Sequence, residues 1–229
     1  EWLTRVPARV VASTYVVLGV VCLVLVFHGI GLLDVGAWTQ PLGIVGARRM
    51  AGGVVAAVLA LTRQIGRRRR VGGKITSVLK IPSMKVTEAE ITLDAAWPGH
   101  KAGQFAFVSF DRKEGKHPFT IASAWDPATR SITFISKGLG DYTERLPEKL
   151  AVGDEVTVEG PYGRFTFEDG KDRQIWIGAG IGITPFIARL KHMAATPDSR
   201  QVDLFHCVPE IAPEARDLLA RDVAAADVD

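Results

Sequence analysis

The hydrophobic pattern changes its period twice along the chain. Residues 10–33, VVASTYVVLGVVCLVLVFHGIGLL, contain no Asp, Glu, Lys or Arg. At about 1.5 Å per residue this run would reach roughly 36 Å as a helix, longer than a bilayer core of about 30 Å. It predicts a transmembrane helix. The rival reading, a secretory signal peptide, needs an apolar core of only about 7–15 residues followed by a small-residue cleavage site. Residues 35–64 form a second apolar stretch, interrupted by Arg48 and Arg49, and a charge at the bilayer centre costs about 2.5–3.5 kcal/mol on insertion scales. Either a tilted second crossing keeps these arginines near its outer end, or residues 34–46 are re-entrant or surface-lying. The crossing is favoured, because Arg63 and Arg67 to Arg70 would hold its end in the cytoplasm by the positive-inside rule. Arg5 and Arg9 put the start of the first helix on the same side. The expectation is an integral membrane protein in contact with lipid, with a cytoplasmic domain after residue 70.

From Lys74 the period becomes two. KITSVLKI, EAEITLDA, GQFAFVSF, FTIASA, SITFISK and DEVTVEG are short β runs separated by Pro, Gly and Asp signals. Six strands at this spacing predict a small closed antiparallel barrel, with one helix, DYTERLPEKL, before the last strand. After Gly170 the pattern changes again: RQIWIGAGIGITPFIARLKHMA reads as a buried strand, a glycine turn and a helix, QVDLFHCV as a second strand and APEARDLLARDVAAA as a second helix. Alternating β and α segments predict a parallel sheet. The expected order is a membrane segment over residues 1–70, a barrel over 72–166 and a partial α/β lobe over 171–229. The chain starts at Glu1 and stops at Asp229 within this last pattern, so a piece of a longer protein is expected.

Composition changes little in this picture. Lys and Arg number 28 against 25 Asp and Glu, a net charge of +3, so the basic character sits in a few arginine clusters and does not indicate a nucleic-acid binder. Cys22 and Cys207 form neither a disulfide framework nor a metal-ligand pattern. GRRRRVGG reads as a topology anchor beside anionic headgroups or as a basic signal for another partner. His28, the one ionisable side chain of the first helix, is a candidate functional residue or a neutral ring bonded to a neighbouring helix.

Two stretches carry candidate chemistry. GAGIGITP, residues 178–185, spaces its glycines as Gly178, Gly180 and Gly182. A glycine turn that opens a helix binds phosphates, because free N–H groups and the positive dipole end face the ligand. Thr184 can cap that helix while Pro185 occupies its first turn; the alternative is a tight strand-to-helix turn without ligand. GKHPFTIAS, residues 115–123, opens a β run with His117 and Pro118, although proline is confined to edges and strand starts.

The order barrel, HPFT, GDYT, GPYG, GAGIGITPF over roughly residues 72–208 resembles the ferredoxin-NADP reductase superfamily, and within it the ferric reductase and NADPH oxidase group. That resemblance implies a membrane α-helical segment followed by an antiparallel FAD-binding barrel and a parallel-sheet NAD(P)-binding domain. It implies His117 as a donor to the FAD pyrophosphate and Phe119 as a flat face for the flavin ring, with Pro118 stiffening the approach. Thr120, the implied catalytic residue, would hydrogen-bond near flavin N5, which receives hydride. Gly140 and Thr143 of GDYT would supply an amide and a hydroxyl to the FAD phosphates, Lys137 just upstream being a further charge or a solvated side chain. GPYG, residues 160–163, resembles the linker between the lobes. Gly178, Gly180, Gly182, Thr184 and Pro185 would hold the nicotinamide nucleotide, and Pro209 stands where a basic residue could have recognised a 2′-phosphate.

The implied function is electron transfer from NAD(P)H through FAD towards a membrane haem b or an acceptor such as ferric iron, oxygen or a quinone. His28 is the one candidate haem ligand here, where the family uses pairs of histidines on adjacent helices. The family's later Cys-Gly motif and its C-terminal aromatic are not in this sequence. The alternative is a non-catalytic accessory subunit that serves a partner electron-transfer subunit. A soluble oxygenase reductase is disfavoured by the first apolar run and by the lack of a cysteine-rich iron–sulfur segment.

Overall fold

A computed structural model of the protein describes residues 52–53, 55–58, 66–94, 97–111, 114–196 and 198–228. Among the described residues no helix is long and apolar enough to cross a membrane. The expected crossing at residues 10–33, His28 within it, and most of the 35–64 stretch lie outside them. The chain divides into two compact units, residues 1–67 and 68–229, and the second carries both β patterns.

Six strands build the barrel: β1 Arg70–Ile81, β2 Val86–Leu93, β3 Phe105–Ser109, β4 His117–Thr120, β5 Ser131–Lys137 and β6 Glu155–Tyr162. They hydrogen-bond in the order β4-β3-β6-β1-β2-β5, with every neighbouring pair antiparallel. An isolated bridge between Ile121 and Phe134 joins the end of β4 to β5 and closes the sheet on itself. Alternation chooses the inside. On β2, Thr87, Ala89, Ile91 and Leu93 are buried in turn, and the last three meet Ile75, Val108, Ile132, Phe134 and Val158 in one core. Fully burying such a side chain stabilises by about 1.5–3 kcal/mol.

Helix α1, Asp141–Lys149, seals the barrel with buried Leu146. Two boundaries differ from the sequence reading. β1 starts at Arg70, so the arginine run ends inside the barrel: Arg70 Nε donates to Glu159 at 2.6 Å and the Arg69 guanidinium lies 5.2 Å from the Tyr162 ring centre. β6 runs through Tyr162, which pairs with Phe105, so the first three residues of GPYG end the last barrel strand. A chain that must still satisfy its backbone beside β3 extends the ladder before it can turn.

The second lobe contains β7 Arg173–Ala179, α2 Thr184–Ala195, β8 Gln201–Cys207 and α3 Pro213–Ala225. β7 and β8 pair in parallel from Arg173 opposite Gln201 to Ala179 opposite Cys207. Trp176 stacks on Phe186 with ring centres 5.5 Å apart, and Phe167, Leu190, Met193 and Val202 complete the core. β7 was expected to be a buried strand, but it is buried on one face: Ile175 and Ile177 stand outward, as does Phe205 of β8, each more than half exposed. Parallel sheets ordinarily have both faces covered; among the described residues α2 and α3 cover one.

An ionic cluster ties the segment after the barrel to this lobe. Arg189 of α2, 6% exposed, pairs with Asp198 at 2.5 Å and with Glu168 at 3.6 Å, while Arg200 donates to the Phe167 carbonyl at 2.6 Å. The Arg200 guanidinium bonded to Asp198 outweighs the effect of burial and holds that carboxyl down at about 2.

Candidate functional site

β4 is hydrogen-bonded only to β3 along its length, with Pro118 opposite Phe107 and outward-facing. That explains how a strand can carry proline: no second ladder needs its missing N–H. Alternation then puts His117 and Phe119 on one face. Phe119 is 8% exposed and packs against Phe110 and Phe134, with ring centres 5.7 and 6.3 Å away. Its ring is part of the barrel core, and the broad flat face expected of it is turned inward. His117 sits at the rim of the same face, half-buried.

At that rim His117 stacks on Tyr142, with ring centres 3.6 Å apart and planes 16° apart. Tyr142 is the second residue of α1, so HPFT and GDYT converge although they lie more than twenty residues apart. Neither ring nitrogen of His117 makes a hydrogen bond among the described residues. Burial, and next the charge of Glu114, push the Tyr142 phenol up to about 12.

The start of α1 is built by Thr143. Its Oγ1 accepts from the N–H groups of Leu139 at 3.0 Å and Gly140 at 3.3 Å and donates to the Gly140 carbonyl at 3.1 Å. The hydroxyl expected to reach a phosphate is thus engaged in shaping the turn. Gly140 offers no side-chain cap, and nothing lies within 4 Å of where its Cβ would stand. The open side of Gly140 lies at the positive end of the helix dipole, which favours an anion.

The neighbouring Lys116 is committed elsewhere. Its Nζ lies 2.8 and 2.7 Å from the two oxygens of Glu159, which also accepts from Arg70 and from the Tyr162 hydroxyl. Burial works against the Glu159 charge, but Lys116 and Arg70 outweigh it and keep the carboxyl below its ordinary value. The sequence reading missed this group. Thr120 is half-buried opposite Phe105, and its hydroxyl makes no hydrogen bond among the described residues.

In the second lobe Gly178 ends the buried face of β7, where a Cβ would come within 2.9 Å of Ile183 Cδ1 and 3.0 Å of its Cα. Gly180 has φ +53, and it and Gly182 have nothing within 4 Å of a notional Cβ. Gly180–Ile183 form a 3-10 turn before α2. This corrects the expected cap: Thr184 is the first helical residue, 2% exposed, and its hydroxyl donates back to the Ile181 carbonyl at 2.7 Å. Pro185 occupies the first turn as expected. His206 of β8, which the sequence reading passed over, places Nε2 3.0 Å from the Gly180 carbonyl and leaves Nδ1 buried without a partner among the described residues. No motif marked it; only the parallel pairing of Gly178 with His206 could have.

A cavity of about 140 Å³ separates the lobes, with Ile135 and Lys137 of β5 on one wall and Gly180, Ile181 and Ile183 on the other. Lys137 therefore faces the glycine turn. His117, Phe119 and Thr120 are not on this wall.

A closed antiparallel barrel joined to a βαβα lobe with an open glycine turn offers two helix starts at which a phosphate-bearing cofactor fits. Residues 79–166 match the FAD-binding domain family. The reductase component of propane 2-monooxygenase from Rhodococcus jostii is 32% identical over 113 residues, covering 46% of this chain and 29% of that protein. Ferric reduction oxidase 5 of Arabidopsis thaliana is 32% identical over 92 residues, covering 38% of this chain and 13% of that protein. The chain thus spans less than a third of the length of either relative. A flavohemoglobin from Malassezia yamatoensis, solved with FAD and haem, shares the fold with a TM-score of 0.59 at 22% identity, over 85% of this chain and 56% of that one. The barrel thus matches an FAD-binding family, and oxygenase reductase components, a ferric reduction oxidase and a respiratory burst oxidase homologue are among the proteins the chain is similar to.

The family match over the barrel points to FAD, and the residues present fit its phosphates. The free edge of His117 and the open first turn of α1 suit a pyrophosphate. The space above Gly180 and Gly182 suits the backbone approach of a second one.

Proposed function

We propose that the protein is a membrane-anchored oxidoreductase in which electrons pass from NAD(P)H through FAD towards a haem or an acceptor such as ferric iron, oxygen or a quinone. The observation that carries this reading is the convergence of His117 with the first turn of α1 at the barrel rim. The glycine turn across the cavity from β5 supports it. The anchor rests on the uncharged run at residues 10–33, with the reductase part on the cytoplasmic side of the arginine clusters.

His117 and the amides after Gly140 bind and orient a pyrophosphate, while Thr143 keeps those amides facing outward. Thr120 holds a hydrogen bond at flavin N5, and Phe119 supports the strand from beneath. Gly180 and Gly182 admit the nucleotide's phosphates, and the apolar walls at Ile135, Ile181 and Ile183 exclude water between the lobes. Bound flavin supplies the exchange between two-electron and one-electron chemistry, and the protein supplies position and electrostatics.

Absorbance spectra of the purified chain before and after NADH or NADPH test this reading. A flavin band that bleaches with one of them is expected. Folded protein without a flavin band rules the reading out. A flavin band indifferent to both nucleotides favours an accessory subunit of an electron-transfer complex.

A further inference from the structure

We infer that Tyr142 is a positioning residue for the flavin site: its ring fixes the plane of the His117 imidazole so that the ring nitrogens face the pyrophosphate held at the start of α1. The inference rests on the FAD reading and adds to it a residue that neither the family match nor the motif resemblance assigns.

Three observations converge on this role. The two rings are nearly parallel at 3.6 Å, so contact is made through the face of the imidazole and the edges bearing its two nitrogens stay in the ring plane, clear of the stack. Tyr142 is itself anchored, since its ring packs against the barrel core and its backbone belongs to the first turn of α1. Lys116, which precedes His117 in the chain, is held by both oxygens of Glu159. His117 is therefore the side-chain donor that β4 leaves for an anion, and an exposed imidazole would otherwise rotate about two side-chain bonds. Stacking removes that freedom before the ligand arrives, which is how preorganisation raises affinity. It also registers the imidazole against the helix amides, so the two donor groups act on one phosphate pair. The phenol stays neutral over the working pH range, because burial and Glu114 raise its pKa; the contact is ring on ring, without a competing phenolate.

The test uses the full chain stripped of flavin, with Tyr142→Phe, Tyr142→Leu and His117→Ala variants, and reads two quantities. One is the FAD dissociation constant from quenching of flavin fluorescence. The other is the proton NMR position of the His117 ring, which an aromatic face at this distance shifts upfield. Tyr142→Phe keeps both within about twofold and within the wild-type shift range. Tyr142→Leu weakens FAD by roughly tenfold and returns the ring protons to ordinary positions, a loss on the scale of one aromatic contact. In the His117→Ala background, Tyr142→Leu costs nothing further, as a shared pathway requires. The urea midpoint of each variant separates this from unfolding, and Tyr142→Met, which keeps bulk without an aromatic face and is expected to behave as Tyr142→Leu, keeps the role testable if Tyr142→Leu is unstable. If wild type binds FAD and Tyr142→Leu binds it equally, or if the two losses add in the double variant, the positioning role is overturned while the flavin reading stands. Wild type that takes up no FAD overturns both.

Discussion

At the scale of single residues, the site is built by side chains that hold one another. His117 is stacked, Thr143 is folded into its own turn, Thr184 is tied to the Ile181 carbonyl and Lys116 is neutralised by Glu159. Thr120 differs from these, since its hydroxyl makes no hydrogen bond among the described residues. A hydroxyl held for a cofactor and not for the fold should be separable from stability. Thr120→Ala is expected to leave the urea midpoint within about 0.5 kcal/mol, as for a surface change. Flavin reduction by NAD(P)H should slow by about tenfold, which corresponds to ~1.4 kcal/mol of barrel-side stabilisation. Stopped-flow absorbance reads the rate, and an unchanged rate removes Thr120 from the catalytic assignment.

At the scale of elements, the glycine turn separates two demands that the motif merges. Gly178 is needed by packing, because a methyl there meets Ile183 backbone at 3.0 Å, whereas Gly182 faces open space. Gly178→Ala is expected to destabilise by about 1–3 kcal/mol, the cost of overpacking. Gly182→Ala should leave stability unchanged and weaken NAD(P)H binding severalfold by filling the nucleotide's approach. Denaturant unfolding beside nucleotide titration distinguishes the two. The strands were legible in the sequence because alternation is enforced by a buried face: EAEITL and SITFISK land in β2 and β5. What alternation does not encode is which neighbour a side chain meets. Phe119 was read as a flavin platform because its motif mates suggest it, yet the same period of two that marks the strand sends its ring into the core. His206 and Tyr142 were invisible for the same reason: their roles come from the Gly180 carbonyl and from the His117 ring, partners distant in sequence.

At the scale of the whole molecule, stability responds to pH through a half-buried histidine that no motif contains. His100 accepts from Trp97 Nε1 at 3.3 Å and reaches the Ser123 carbonyl at 3.1 Å, which ties the β2–β3 connection to the segment after β4. Burial lowers its pKa to about 4, against a partial offset from the Ser123 bond. The folded value lies below the unfolded one near 6.5, so the neutral ring's contribution is complete above pH 6.5 and is lost as pH falls towards 4. The loss is on the order of 3 kcal/mol. Urea midpoints of wild type should drop between pH 7 and pH 4.5 by more than those of His100→Gln, and parallel pH curves would contradict this. A different kind of constraint follows from β5. It pairs with β2 from end to end, closes the barrel through Phe134, leads into the turn before α1 and offers Ile135 and Lys137 to the glycine turn. In the proposed reading one strand is therefore a common ruler for both nucleotides, and a one-residue slip in it would displace both at once. The two lobes are not freely interchangeable modules: a nucleotide lobe grafted from another protein will work only if it reads the same face of β5.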